Sequence, residues 1–450
     1  MKINRITVGG LFGVFNHDIR LNSEDNITIV IGENGLGKTV ILEAINALFQ
    51  KEYRFFKSLE FSEFNIYFDN CEIWQLTKKT DSEGFCLLIS RNSTKNPVKV
   101  EKKHKIFREE NRFNRSAAMR DRELMRYMQL KHENRLINRD LYYKERYDLE
   151  REYEYRKMEE MRYHRLRNHD IDLEINPPKW LLENIEKINV KLIETQRIIT
   201  VKEIGSDSYV NNLKKCSDEL KSMIGVAVKK SSIVASELDS SYPNRLVKKL
   251  RQGTRDSFEE LNIALAKLDE RRKLFSSIGL AVQKSDSDLL QIDEGQKNLV
   301  NVLKLYIDDS HKKLDPLDEL SQKIKLFKGI INKRFKHKKL EIKQEEGFVF
   351  RSTVVVNRKG DFETIPPSKL SSGEQNELIL FYKLIFNSHV NDMILIDEPE
   401  LSLHISWQNK FIKDLKSITS INGVSIIIAT HSPDIIDDNW DLRVELKGVE

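Results

Sequence analysis

The sequence predicts an α/β fold in which both ends of the chain build one parallel sheet, with an antiparallel flap beside it and a helical arm inserted between. Three observations predict it. The apolar strand Ile29-Val30-Ile31 runs into Gly32-Glu33-Asn34-Gly35-Leu36-Gly37-Lys38-Thr39, and the helix that follows has Val40, Ile41, Ala44, Ile45 and Leu48 on its apolar side. Residues 393–397 and 424–429 are continuous apolar runs, which suit strands covered on both faces. Residues 98–176 contain no glycine and no proline and are rich in Arg, Glu, Lys, Met, Leu and Tyr, a composition that predicts helix.

Taken in order, residues 1–50 read as two short strands, the glycine-rich loop and its helix. The loop carries the full phosphate-binding pattern. Gly32, Gly35 and Gly37 permit a turn tight enough for backbone N–H groups, those of Glu33 and Asn34 included, to converge on phosphate oxygens. Lys38 can reach the β- and γ-phosphates, Thr39 can offer a hydroxyl to Mg²⁺, and the positive end of the helix faces the anion. Residues 60–96 keep a strand rhythm and read as the flap.

Within 98–176 the apolar positions are too sparse for a heptad, so a protruding helix or short hairpin is expected rather than a long coiled coil. Pro177-Pro178 ends it, and residues 188–197 read as a strand with Gln196 at its tip. A second helical region, about 208–338, is expected to break near Pro243, Gly279 and Pro316 and to form a small bundle. Strands return at 339–343, 348–356 and 362–365, with Asn357-Arg358-Lys359-Gly360 as a hairpin turn, and a helix runs from about Gly373 through Leu384. The chain thus divides into an N-terminal lobe with the phosphate loop (1–97), a charged helical insertion (98–176), a strand returning to the core (177–207), a helical bundle or arm (208–338) and a C-terminal lobe (339–450).

At 450 residues two or three domains are expected. The formal charge of +5 is mild and local: residues 101–170 hold 20 Lys and Arg against 15 Asp and Glu. Such a surplus suits a solvated helix face first, and a nucleic acid or an acidic protein second. Cys71, Cys86 and Cys216 are far apart and form no zinc or disulfide pattern. With no leader pattern and no run of about 18 apolar residues, the expectation is a cytoplasmic protein without a membrane span.

Further constellations carry chemistry. Ile394-Leu395-Ile396-Asp397-Glu398 ends an apolar strand in two carboxylates: Asp397 can hold the Mg²⁺ shell and Glu398 can polarise an attacking water. Leu370-Ser371-Ser372-Gly373-Glu374-Gln375 opens a helix, where Ser371 and the amides near Gly373 can bind a γ-phosphate. Ala429-Thr430-His431-Ser432-Pro433 puts a histidine just past a buried strand. Each has a plain structural reading, an N-cap for the serine and a core histidine for His431. Their order along one chain favours the chemical one.

On these stretches the sequence resembles the ATP-binding-cassette heads of SMC-like and OLD-like ATPases, and within them the ATPase subunits of bacterial anti-phage systems. The resemblance implies ATP and Mg²⁺, an ABC-type head, and a nucleotide held between two copies. Lys38 and Thr39 would bind nucleotide and metal, Glu398 would be the catalytic base, His431 would contact the γ-phosphate, and Gln196 would couple nucleotide to the arm. Ser371 and Gly373 would act in trans, in the neighbour's site. Two differences stand out. The heptad coil and CxxC of zinc-hook repair ATPases are missing, and Ile405 follows Leu403-His404 where the OLD-like pattern commonly has proline.

The resemblance further implies a homo-oligomer, with a dimer of heads as the unit and assemblies up to a hexamer open, that holds a separately encoded nuclease toxin. The trigger would be a phage protein, an acidic one if residues 101–170 receive it. The other readings are an ATPase that clamps duplex DNA, less favoured because the basic excess is modest, and a transporter's soluble motor, disfavoured by the insertion.

Overall fold

The computed structural model of the chain describes residues 1–81, 84–93, 104–110, 174–193, 199–200, 210–252, 258–280 and 297–448. It forms two compact units, the first comprising Met1–Arg5, Asp18–Gln50 and Ile188–Glu450, the second Ile6–His17 and Lys51–Lys187. Residues 1–97 therefore divide between the two, with the phosphate loop in the first unit and the flap strands in the second.

The first unit is built on a five-stranded sheet in the order Arg443–Glu445, Ile27–Ile31, Ser425–Ala429, Met393–Asp397, Val190–Ile193. Every pairing is parallel. Both ends of the chain do meet in one sheet, and its central strands are covered on both faces: Ile394, Leu395, Ile396, Ile426, Ile427 and Ile428 are all at most 2% exposed. The register sets Asp397 opposite Ala429 and Ala429 opposite Val30. The loops that leave these three strands therefore emerge together at one end of the sheet. Gln196 lies outside the described residues.

The N-terminal strands number three, Ile3–Leu11, Phe15–Arg20 and Ile27–Ile31, where the sequence suggested two before the loop. The second unit carries an antiparallel sheet whose consecutive strands are Glu63–Phe68, Glu72–Asp81, Gly84–Ser93, His104–Glu110 and Glu174–Ile175. The flap is as expected. The helical reading of residues 98–176 is corrected at both ends, because His104–Glu110 and Glu174–Ile175 extend this sheet. Ile106 is fully buried, and strand pairing with residues 84–89 overrides the helix-favouring composition. The remainder of that insertion lies outside the described residues.

The second helical region contains Asn212–Gln252, Phe258–Ser277, Lys297–Leu314 and Asp318–Arg334. The breaks near Gly279 and Pro316 are present, but Pro243 sits inside a continuous 41-residue helix. Proline removes one N–H and crowds the carbonyl four residues back. The hydroxyls of Ser240 and Ser241 bond the Glu237 carbonyl, and the Arg245 guanidinium bonds that of Leu238 at 2.7 Å, next to the Asp239 carbonyl that the proline leaves without its helical donor.

Strands Lys338–Lys343, Gly347–Val356 and Phe362–Ile365 form an antiparallel sheet, with the Asn357–Gly360 turn closed by a 3.0 Å backbone bond. The helix Ser372–Phe386 follows and is buried on nearly every side from Glu377 onward. In its core, Arg334 bonds both the fully buried Glu377 and Asp414 of helix Phe411–Asn422, and its guanidinium lies 4.6 Å from the Phe381 ring centroid. No described helix is long and apolar enough to cross a membrane.

Candidate active site

The site lies where strands Ile27–Ile31, Met393–Asp397 and Ser425–Ala429 end. After the first strand the chain turns through Gly32 to Gly37 into the helix Lys38–Phe49. Gly37 caps that helix with φ 89°, a left-handed conformation that favours glycine. At Gly32 the reason is space: a Cβ there would sit 3.1 Å from the Leu446 carbonyl oxygen. Glu33, Asn34 and Gly35 are exposed at the turn.

Lys38 is 6% exposed, and its ammonium donates to the carbonyls of Gly32 at 2.7 Å and Glu33 at 2.9 Å. The lysine thus spans its own loop. Thr39, the next residue, donates its hydroxyl to Asp397 Oδ1 at 3.0 Å. That bond joins the loop helix to the end of the central strand.

Glu398 takes up a left-handed conformation, φ 41° and ψ 58°, which costs a non-glycine residue about 1–3 kcal/mol. Its N–H donates to the Ala429 carbonyl at 2.9 Å, continuing the sheet pairing past Asp397. The turn aims its carboxylate at His431, whose Nε2 lies 2.9 Å from Glu398 Oε1. Glu400 supports the histidine from below: its carboxylate accepts from the buried Thr430 hydroxyl at 2.8 Å and from the His431 N–H at 3.0 Å.

The electrostatics follow from this crowding. Burial pushes the Lys38 ammonium below the ordinary lysine range, while Glu398, Asp397 and Glu400 pull it back up. Burial raises Asp397 above the usual carboxylate range. The Thr39 hydroxyl opposes that, Glu398 and Glu400 reinforce it, and His431 lowers it. Three carboxylates around one lysine favour an added cation.

A threonine hydroxyl paired with a strand-end aspartate fits Mg²⁺ held mainly by phosphates and water, which needs only one or two protein carboxylates. The glycine-rich turn leading into the helix N-terminus at Lys38 fits the phosphates themselves.

The structure brings Lys38, Thr39, Asp397, Glu398 and His431 together. Ser371 and Gly373 are exposed at the start of the helix Ser372–Phe386, and Ser371 is bonded to Glu374 instead. Its N–H and hydroxyl donate to Glu374 Oε2 at 2.8 and 3.0 Å, while its Oγ accepts from the Glu374 N–H, closing a capping box.

Sequence reasoning assigned no role to Glu400, Thr430 or Glu374. Glu400 and Thr430 stand inside the stretches already singled out, in Glu398-Pro399-Glu400 and beside His431. The spacing of two carboxylates about a proline was the available signal.

The family model of the AAA ATPase domain matches residues 1–436. The chain belongs to the AAA ATPase domain family. The protein is accordingly an ATPase by class, an α/β enzyme with a parallel core sheet, an antiparallel sheet and an inserted helical region. A stretch of 75 residues, 17% of the ATPase, is 33% identical to the thiamine import ATP-binding protein ThiQ of Ruegeria sp. (strain TM1040) and spans 31% of that protein's length.

Among solved structures, the SMC head domain from Thermotoga maritima aligns with 100% of the ATPase and 96% of its own chain, at 10% identity and TM-score 0.34. The Smc head domain with an extended coiled coil bound to the C-terminal domain of ScpA, from Pyrococcus furiosus, aligns with 97% of the ATPase and 91% of its own chain, at 13% identity and TM-score 0.33.

Proposed function

We propose that the ATPase hydrolyses ATP as a slow switch of the SMC-like kind: ATP closes two copies on each other, and the closed or open state gates a partner protein. The observation that carries the chemistry is the Glu398–His431 pair, 2.9 Å apart beside Lys38, Thr39 and Asp397. Glu398 accepts a proton from the attacking water, and His431 holds the carboxylate in place and contacts the γ-phosphate. Lys38 and the loop amides of residues 32–37 bind the phosphates. Thr39 and Asp397 hold Mg²⁺, which supplies charge neutralisation at the phosphates. Ser371 and the amides near Gly373 complete the site of a second copy. Gln196 is the proposed link from nucleotide to arm.

The biological reading follows the motif resemblance, in which the ATPase is most like the AriA subunit of the PARIS anti-phage system, with the PtuA subunit of Septu next. On that reading the oligomer works in the cytoplasm. It retains a nuclease toxin encoded separately and releases or activates it when an acidic phage protein is sensed. The local basic surplus of residues 101–170 supports an acidic trigger, and duplex DNA is less favoured because that surplus is modest and mixed with acids.

Glu398→Gln tests the chemistry. Single-turnover hydrolysis should fall on the order of 10²–10⁴-fold while ATP binding is kept. Hydrolysis at the native rate would remove Glu398 as the base. The same variant, tagged in its own operon and purified in ATP, tests the biology. A homo-oligomer carrying a nuclease-like polypeptide supports the switch. A bare dimer that gains mass only with duplex DNA, with an affinity that drops steeply as salt rises, favours the clamp.

A further inference from the structure

His431 is held from two sides. On one, Glu400 accepts from the Thr430 hydroxyl and from the His431 N–H. On the other, Ser432 donates its hydroxyl to Gln408 Oε1 at 2.8 Å and its N–H to the Thr430 hydroxyl oxygen at 3.0 Å. Gln408 closes the short helix Ile405–Gln408, on the segment that leaves Glu398, and is 6% exposed. Its Nε2 donates to the Leu403 carbonyl at 3.3 Å. One buried side chain therefore joins the segment after Glu398 to the segment that carries His431.

The amide has one usable orientation. The Leu403 carbonyl can only accept, so it takes Nε2, and Oε1 is left for the serine hydroxyl. Ser432 in turn directs that hydroxyl away from its usual task. It is the N-cap of the helix Pro433–Ile436, where a serine ordinarily bonds an N–H of the first turn, yet its side chain caps nothing there. The base of the link is firm. Trp407, next to Gln408 in sequence, packs on the hydrophobic core and stacks on Phe335 with ring centroids 6.3 Å apart. The His431 and Glu398 side chains, by contrast, are 34% and 30% exposed.

We propose that Gln408 is a positioning residue for hydrolysis, which sets through Ser432 where His431 meets the Glu398 carboxylate. This rests on the reading above in which Glu398 is the base and His431 holds it in place at the γ-phosphate. Neither bond of Gln408 goes to Lys38, Thr39 or the phosphate loop, so its loss slows the chemical step and leaves nucleotide affinity in place. Misplacing a reacting group by about 1 Å can cost on the order of 10²-fold in rate.

The test uses the full chain and reads single-turnover hydrolysis with enzyme in excess, with ATP affinity measured separately on each protein. Gln408→Leu keeps the size of the side chain and removes both bonds. Ser432→Ala removes only the hydroxyl, from a half-buried position, and tests the same link should the first variant fold poorly. Each is also made in a His431→Ala background.

Each single variant should hydrolyse ATP about tenfold more slowly, with ATP affinity unchanged. Neither should slow His431→Ala any further, because the residue through which they act is gone. Native rates in both variants, a loss in Gln408→Leu that Ser432→Ala does not share, or a loss that multiplies with that of His431→Ala overturns the inference while leaving the Glu398–His431 pair standing. A His431→Ala protein that hydrolyses ATP at the native rate overturns the reading of that pair, and this inference with it.

Discussion

Replacing Arg334 by methionine tests how the helix that presents Ser371 is held. Arg334 is 3% exposed, and it bonds Glu377, fully buried on that helix, and Asp414, whose side chain is 20% exposed. Methionine keeps much of the apolar stem and removes the charge. Burial pushes the Glu377 carboxyl up to about 7 even beside Arg334, so without the guanidinium it would take up a proton and stay buried without its partner, and its Oε2 already lacks a hydrogen-bond partner among the described residues.

Breaking a buried ion pair by removing one member costs about 3–5 kcal/mol. Loss of the guanidinium from the face of Phe381 adds about 1–2 kcal/mol for a desolvated pair. Against domain stabilities of about 5–15 kcal/mol, this is a large fraction. Arg334→Met combined with Glu377→Leu removes the fully buried pair and leaves only the part-exposed Asp414 without its cation, and should recover part of the loss. Urea unfolding followed by circular dichroism at one pH measures both variants. A single variant within about 1 kcal/mol of the parent, or a double variant no more stable than the single, would refute this account of the core.

Glu400→Ala should lower kcat for ATP at least tenfold, about 1.4 kcal/mol, with little change in KM, because it releases Thr430 and His431 without touching Lys38's bonds; an unchanged kcat in steady-state assays would mean that His431 is held some other way. Stability should also fall in acid through Glu374. Burial alone would raise its carboxyl, but Lys338 and Ser371 together outweigh that and hold it below the ordinary 4.5. A depressed carboxylate contributes stability above its unfolded value and loses it as pH falls through the folded one. Urea midpoints should therefore drop below about pH 4.5, and drop less in Lys338→Met, which lacks the paired ammonium; equal acid sensitivity in the two proteins would remove Glu374 as the cause.

Much of this was legible in the residues because it depends on local order. The loop from Gly32 to Thr39 needs only its own glycines and the flanking strand and helix. The runs ending at Asp397 and Ala429 are apolar but for Asp397 itself and Ser425, because parallel strands are covered on both faces, and that is visible without knowing the neighbours.

Composition misled where pairing or side-chain bonding intervened. Residues 104–110 read as helix by propensity yet are drawn into a sheet by Gly84–Ser93. Pro243 reads as a break, yet the helix runs through it, with Ser240, Ser241 and Arg245 bonded to the neighbouring Glu237 and Leu238 carbonyls.

The sequence by itself determined the order of the glycine-rich loop, the acidic pair and the histidine along the chain. The tertiary structure decided how they meet: the register that brings Asp397 and Ala429 level, the left-handed turn that aims Glu398 at His431, and the Glu400 carboxylate that accepts from Thr430 and the His431 N–H. Those are relations between segments 30 to 33 residues apart, set by strand pairing and by the directions of single hydrogen bonds, and no spacing along the chain encodes them.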